Sequence, residues 1–73
     1  IIEGEIDNCI ISSDVRIRKG AQLSGCVIMR GTEIGEGAIM KNVIADKSST
    51  VSSFQTIMGS EKLPVVLPKG TKI

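Results

Sequence analysis

The chain has no histidine, tryptophan or tyrosine, and Phe54 is its one aromatic residue. Lack of histidine removes the commonest general base and metal ligand. Lack of aromatics removes the platforms on which single-stranded nucleic acid stacks. Two cysteines, Cys9 and Cys26, are too few for a disulfide scaffold. A net charge of +1 supplies no long-range field for nucleic acid or a membrane surface. No apolar run approaches the roughly 20 residues that span a bilayer, and no signal-peptide layout opens the chain. The composition thus points away from a free-standing enzyme, with no metal, no cofactor, no nucleic-acid partner and no membrane partner expected. A cytoplasmic location with reduced thiols follows from the absence of export signals. At 73 residues there is room for one domain, residues 1–73, and a core of this size seldom yields more than ~3–5 kcal/mol unless something staples it. The start Ile1-Ile2-Glu3, without Met, reads as a fragment cut from a longer chain.

What is present is repetition. In frames of 17 residues, NCIISSDVRIRKGAQLS from Asn8, GCVIMRGTEIGEGAIMK from Gly25 and NVIADKSSTVSSFQTIM from Asn42 superpose. Their columns agree in kind: Asn8, Gly25 and Asn42; Ile10, Val27 and Ile44; Ile17, Ile34 and Val51; Leu23, Met40 and Ile57. A partial fourth line, LPKGTKI from Leu67, echoes IRKGAQL from Ile17 one residue short of three periods, which predicts a small deletion near residues 59–64.

A finer beat of about six runs inside each line. Large aliphatics recur at Ile11, Ile17, Leu23, Ile28, Ile34, Met40, Val51 and Ile57, and two residues before each stands a residue that is usually small. This is the hexapeptide rhythm of a parallel β-helix, with three short strands per turn. Alternate strand residues point to opposite faces, so the aliphatic and the small residue both face inward. Turns stack at about 4.8 Å and convert each inward position into an apolar ladder. The lumen is too narrow for aromatics, which accounts for their scarcity, and glycine eases corners that need positive φ. The expected fold is an all-β, left-handed parallel β-helix of about four turns. The left hand comes from the hexapeptide class, against the right-handed habit of parallel crossovers.

The run GCVIMRGTEIGEGAIMKNVIADK (residues 25–47), followed by MGSEKLPVVLPKGTKI (residues 58–73), resembles the C-terminal β-helix domain of ADP-glucose pyrophosphorylases, the glucose-1-phosphate adenylyltransferases. The closing G-S-x-x-x-P-V-V-x-x-K-G pattern is more similar to the glycogen-biosynthesis regulatory subunit of that family than to its catalytic partner. The resemblance implies a parent chain of the kind that makes ADP-glucose and pyrophosphate from ATP and glucose 1-phosphate. In that family the chemistry belongs to an N-terminal nucleotidyltransferase domain, and no phosphate-loop motif occurs in these residues. No catalytic residue is therefore carried over. The implied role is structural: oligomerisation with pyrophosphorylase subunits, of one kind or mixed, and allosteric regulation, with the N-terminal domain of the same chain as a partner. The alternative is a fragment of a hexapeptide acyltransferase or a γ-class carbonic anhydrase, whose activities rest on histidines that this chain lacks.

Three groups of residues invite a role. Strand parity turns Ile10, Val27 and Ile44 outward in register, and an exposed apolar strip marks a contact face. Arg30 and Lys47 stack one repeat apart above Ser13, where like charges about 5 Å apart invite a bridging anion, such as the phosphate of an effector, or else stand solvated at a corner. Arg16, Arg18 and Lys19 lie opposite Asp14, Glu33 and Glu36 and read as surface pairing of small worth. Cys9 and Cys26 share an inward column and are expected to remain free thiols, because parallel side chains on stacked strands orient poorly for a disulfide.

Overall fold

Each six-residue beat becomes one short strand and one corner. The computed structural model describes residues 2–73 and contains eleven strands among them. Their order is β1 (Glu5–Asp7), β2 (Ile10–Ile11), β3 (Arg16–Ile17), β4 (Gln22–Ser24), β5 (Val27–Ile28), β6 (Glu33–Ile34), β7 (Ile39–Lys41), β8 (Val43–Ala45), β9 (Thr50–Val51), β10 (Thr56–Met58) and β11 (Val65–Leu67). They form three parallel sheets, the sides of a prism, in the orders β1-β4-β7-β10, β2-β5-β8-β11 and β3-β6-β9. Glu5 pairs with Gln22, Gln22 with Ile39 and Ile39 with Thr56, so the 17-residue period of the sequence is the hydrogen-bond register of the coil. The strands make about three turns, slightly fewer than four. The outermost coils extend the third side only through the bridges Ile2 to Ile17 and Thr50 to Lys72.

The interior follows the beat. Ile17, Ile34 and Val51 lie in one file, paired in register and at most 1% exposed. Leu23 and Met40 fill a second file and Ile28 and Ala45 a third. Between them the small residues Val15, Ala21, Cys26, Thr32, Ala38 and Ser49 are buried where the wall bends. Where the beat lapses in the third turn, the two inward positions exchange sizes. Cys26 and Ile28 are followed one coil later by Val43 and Ala45, both fully buried. Such a swap keeps the volume of the layer, which cores tolerate far better than a net loss.

The last coil departs from the expected deletion. Val65 pairs with Val43, and Lys72 with Thr50, each 22 residues apart, so the chain gains five residues there instead of losing one. Every side of the prism carries the same hexad, and the echo of IRKGAQL in LPKGTKI therefore does not tell which side it occupies. Leu67 stacks against Ala45 on the β8 side, not below Val51. The extra residues leave the coil beside Asn42, where Gly59 N donates to Lys41 O at 2.7 Å and Val65 N donates to Asn42 O at 3.1 Å. Between those points Ser60 N donates to Leu63 O, and Leu63 N donates back to Ser60 Oγ.

Corners are left-handed in backbone. Asn8, Gly25 and Asn42 turn one edge of the prism, and Asp14, Gly31, Ser48 and Gly70 the next, all at positive φ. The third edge runs Gly20, Gly37 and then Phe54, whose φ of 60° is costly for a bulky side chain. Its ring lies over Gly37, so close that a Cβ there would fall 2.5 Å from the ring. The aromatic thus stands outside the lumen, 73% exposed, over the glycine beneath it.

Truncating the central file tests this packing. Ile34→Ala is expected to cost about 2–5 kcal/mol in a urea titration, whereas Ile10→Ala, at a position 67% exposed, stays within about 0.5 kcal/mol.

Candidate functional site: an outward apolar column and a basic corner

The side built from β2, β5, β8 and β11 carries the most regular surface. Ile10 pairs with Val27, Val27 with Ile44, and Ile44 with Val66. Their neighbours Ile11, Ile28, Ala45 and Leu67 form the inward file, so parity turns this column outward. Ile10 and Val66 are 67% and 59% exposed, while Val27 and Ile44 are half-buried. Val66 is a fourth member that the sequence period does not reveal, because the five extra residues before it break the 17-residue count. The signal that could have found it is local: the Pro64-Val65-Val66 run suits the start of a new strand whatever the period.

The adjoining corner is basic. Ser48 N donates to Arg30 O and Gly70 N donates to Lys47 O, which stacks Arg30, Lys47 and Lys69 on successive coils. Arg30 is not left facing Lys47. Its Nε lies 3.5 Å from Asp14 Oδ2, with both side chains 71% exposed, and such an open pair is worth little. The second expected cluster pairs as well: Arg16 is in register with Glu33, and Arg18 Nη2 donates to Glu33 Oε2 at 3.2 Å.

The interior holds its own polar groups in place. Thr32 Oγ1 and Ser49 Oγ both donate to Asp46 O, at 3.1 and 2.8 Å, and among the described residues no buried side-chain N or O lacks a partner. Cys9 and Cys26 are free thiols, each donating to the carbonyl two residues earlier, Asp7 O and Ser24 O. Burial pushes the Cys26 thiol above its ordinary value of 9.0, and the neighbouring Cys9 adds to the shift. Among the described residues no three His, Cys, Asp or Glu side chains converge on a point that could hold a metal ion, and no helix is long and apolar enough to cross a membrane.

Comparison with known proteins agrees with this geometry. Residues 1–63 match the family described as GlmU-like, C-terminal hexapeptide. The chain is 40% identical over 57 residues to a glucose-1-phosphate adenylyltransferase of Corynebacterium jeikeium, covering 78% of the chain and 14% of that protein. It is 44% identical over 50 residues to the enzyme of the same name from Corynebacterium diphtheriae, covering 68% and 12%. It is also 39% identical over 70 residues to the glycogen biosynthesis protein GlgD of Bacillus subtilis, covering 96% and 20%. The chain thus spans a fifth or less of the length of these relatives. No solved structure matches it.

The raised Cys26 value sets a pH dependence. The unfolded chain releases this proton near 9.0 while the folded chain retains it, so stability is unaffected below that pH and falls as pH rises through the folded value. Denaturant titrations across the alkaline range are expected to show this loss for the native chain and a shallower one for Cys26→Ala.

Proposed function

The chain belongs to the GlmU-like, C-terminal hexapeptide family, and from that premise we propose that it is the non-catalytic β-helix module of a glucose-1-phosphate adenylyltransferase-type subunit of glycogen biosynthesis. In this reading the parent subunit is cytoplasmic and carries a nucleotidyltransferase domain ahead of residue 1. The module serves assembly and regulation with subunits of the same or a related kind. The observation that carries the reading is the identity of 40% over 57 residues to an adenylyltransferase of which this chain covers only 14%. The near end-to-end likeness to GlgD adds glycogen biosynthesis as the setting.

The physical basis for an assembly role is rigidity. Side chains on stacked parallel strands keep a spacing of about 4.8 Å set by the backbone, so the column Ile10, Val27, Ile44 and Val66 is held in a row before any partner arrives. A preorganised apolar row loses little entropy on docking, which raises affinity for a given buried area. The corner of Arg30 and Lys47 is the proposed place for an anionic effector, and Lys69 enlarges it. There an anion has to compete with Asp14 for Arg30, which leaves Lys47 and Lys69 as the main points of attraction.

In the intact subunit, Val27→Lys combined with Ile44→Lys is expected to lower the assembly state measured by light scattering, with the strand signal in circular dichroism retained. Unchanged assembly would remove the apolar column from the interface. An upstream sequence without a nucleotidyltransferase domain would overturn the parent assignment.

A further inference from the structure

We propose that the side built from β1, β4, β7 and β10, with the loop that follows β10, takes a second copy of this chain, the two coils antiparallel. Ile6, Leu23, Met40 and Ile57 form the inward file of this side. Parity therefore turns Glu5 and Asp7 outward on the first coil, and Gln22 and Ser24 on the second. Ile39 and Lys41 follow on the third, and Thr56 and Met58 on the fourth. The two outward columns wall a shallow trough whose lining includes Asp7, Ser24, Ile39, Lys41 and Met58. Its large apolar side chains, Ile39 and Met58, are 37% and 62% exposed. All of these side chains leave the coil laterally, on a different side from the Ile10, Val27 and Ile44 column. The five extra residues before β11 stand at the border of this side, and an insertion into a solenoid often marks its binding face. Two hydrogen bonds between Ser60 and Leu63 tie the loop, which presents Lys62 and the 79% exposed Leu63.

Charge selects both the partner and its direction. Along the coil axis this side runs from acidic, at Glu5 and Asp7, to basic, at Lys41 and at Lys62 beside Glu61. Among the described residues Glu5, Asp7, Lys41 and Lys62 have no ionic partner, whereas on the β3-β6-β9 side Arg18 is met by Glu33. Two copies with parallel axes would set acid on acid. A two-fold axis along the strand direction instead reverses the coil axis and sets each acidic end against a basic one. With that axis between the second and third coils, Asp7 lies opposite the second copy's Met58. The loop that follows Met58 then brings Lys62 to Asp7, while the second copy's Lys41 stands opposite Ser24, one coil from Asp7. Symmetry makes each contact twice. Met58, unbranched and adaptable, is the side chain suited to enter the facing trough. Such a contact is isologous and closes at two copies. Each strand here is three residues long, so the contact is small and belongs with weak, transient interfaces. It does not depend on the parent assignment.

Sedimentation equilibrium on the 73-residue chain at low salt, up to millimolar concentration, tests the proposal. A monomer–dimer equilibrium without larger species is expected. It should weaken between about 0.1 and 1 M salt, as the screening length falls from about 10 Å to about 3 Å. One variant reverses the acidic end (Glu5→Lys, Asp7→Lys) and another the basic end (Lys41→Glu, Lys62→Glu). Each alone should pair at least about tenfold more weakly than the native chain, because like charges then face each other at both ends. Mixed in equal amounts, the two variants should pair with each other more tightly than either does with itself. Val27→Lys with Ile44→Lys, on the neighbouring side, should leave the pairing of the chain unchanged. Protection of Cys26 from a thiol reagent reports that the fold is kept; should a double variant lose it, Asp7→Lys and Lys62→Glu carry the same test. A native chain that stays monomeric, species larger than a dimer, or pairing insensitive to salt would each overturn the proposal. So would reversed variants that pair as well as the native chain, or a mixture that recovers nothing. Loss of pairing in Val27→Lys with Ile44→Lys would overturn it too, by assigning the contact to the apolar column.

Discussion

Parallel stacking at a fixed register is the constraint from which the rest of this molecule follows. Each residue lies against its counterpart one coil away, as Ile17 does on Ile34 and Ile34 on Val51, so a choice of side chain at one level limits the choice at the next. The lumen shows this most plainly, since its width is set by three walls and leaves no room for a ring. Corners show it too: where one coil turns with left-handed backbone, the coil above turns the same way. Gly31, Ser48 and Gly70 share one edge at φ of 77°, 56° and 75°. Phe54 satisfies the rule at the third edge only because Gly37 beneath it leaves the ring a place to lie.

Because register is a period, most of the fold was legible in the sequence. The inward files, the outward column of Ile10, Val27 and Ile44, and the stacking of Arg30 with Lys47 all follow from counting by 17 residues. The features that escaped are those where counting fails. Five added residues before β11 moved Leu67 to a different side of the prism, and the hexad could not reveal the shift because all three sides share it. Val66 was missed for the same reason. Val43 and Ala45 broke the large-and-small beat while keeping the volume of their layer, a compensation visible only once both positions are known to point inward from the same strand. The Arg30–Asp14 pair joins neighbouring columns at a corner, where side-chain direction depends on local backbone and not on the repeat.

The candidate sites inherit the same logic with different strength. A column on a flat side is held by hydrogen bonds between successive strands, on both sides for Val27 and Ile44, so its spacing is a property of the backbone. At a corner the backbone bonds continue, as Ser48 N to Arg30 O and Gly70 N to Lys47 O show, but the long basic side chains there are free to choose among neighbouring carboxylates. The outward apolar column is accordingly the firmer element of a recognition surface, and the basic corner is the more adaptable one.

A coil of so few turns also divides unequally into middle and ends. In a solenoid each turn contacts only its neighbours, so stability is close to a sum of turns and the interfaces between them. The middle turns have neighbours on both sides, and Ile28, Ile34 and Met40 are at most 1% exposed. A terminal turn has one neighbour, and its inward residues stand partly in water, as Ile6 and Ile73 do at 41% and 40%. The apolar area left exposed there is stabilisation that the isolated coil does not collect, worth roughly 25 cal/mol for each Å² that a cover removes from water. Whatever covers an end, whether a flanking segment, another domain or another coil, binds the ordered turn and not the frayed one. Association and folding are thereby linked: the cover stabilises the coil by mass action, in proportion to the logarithm of its concentration over its dissociation constant. Packing of the turns and binding at a terminal turn are thus coupled through the same inward residues.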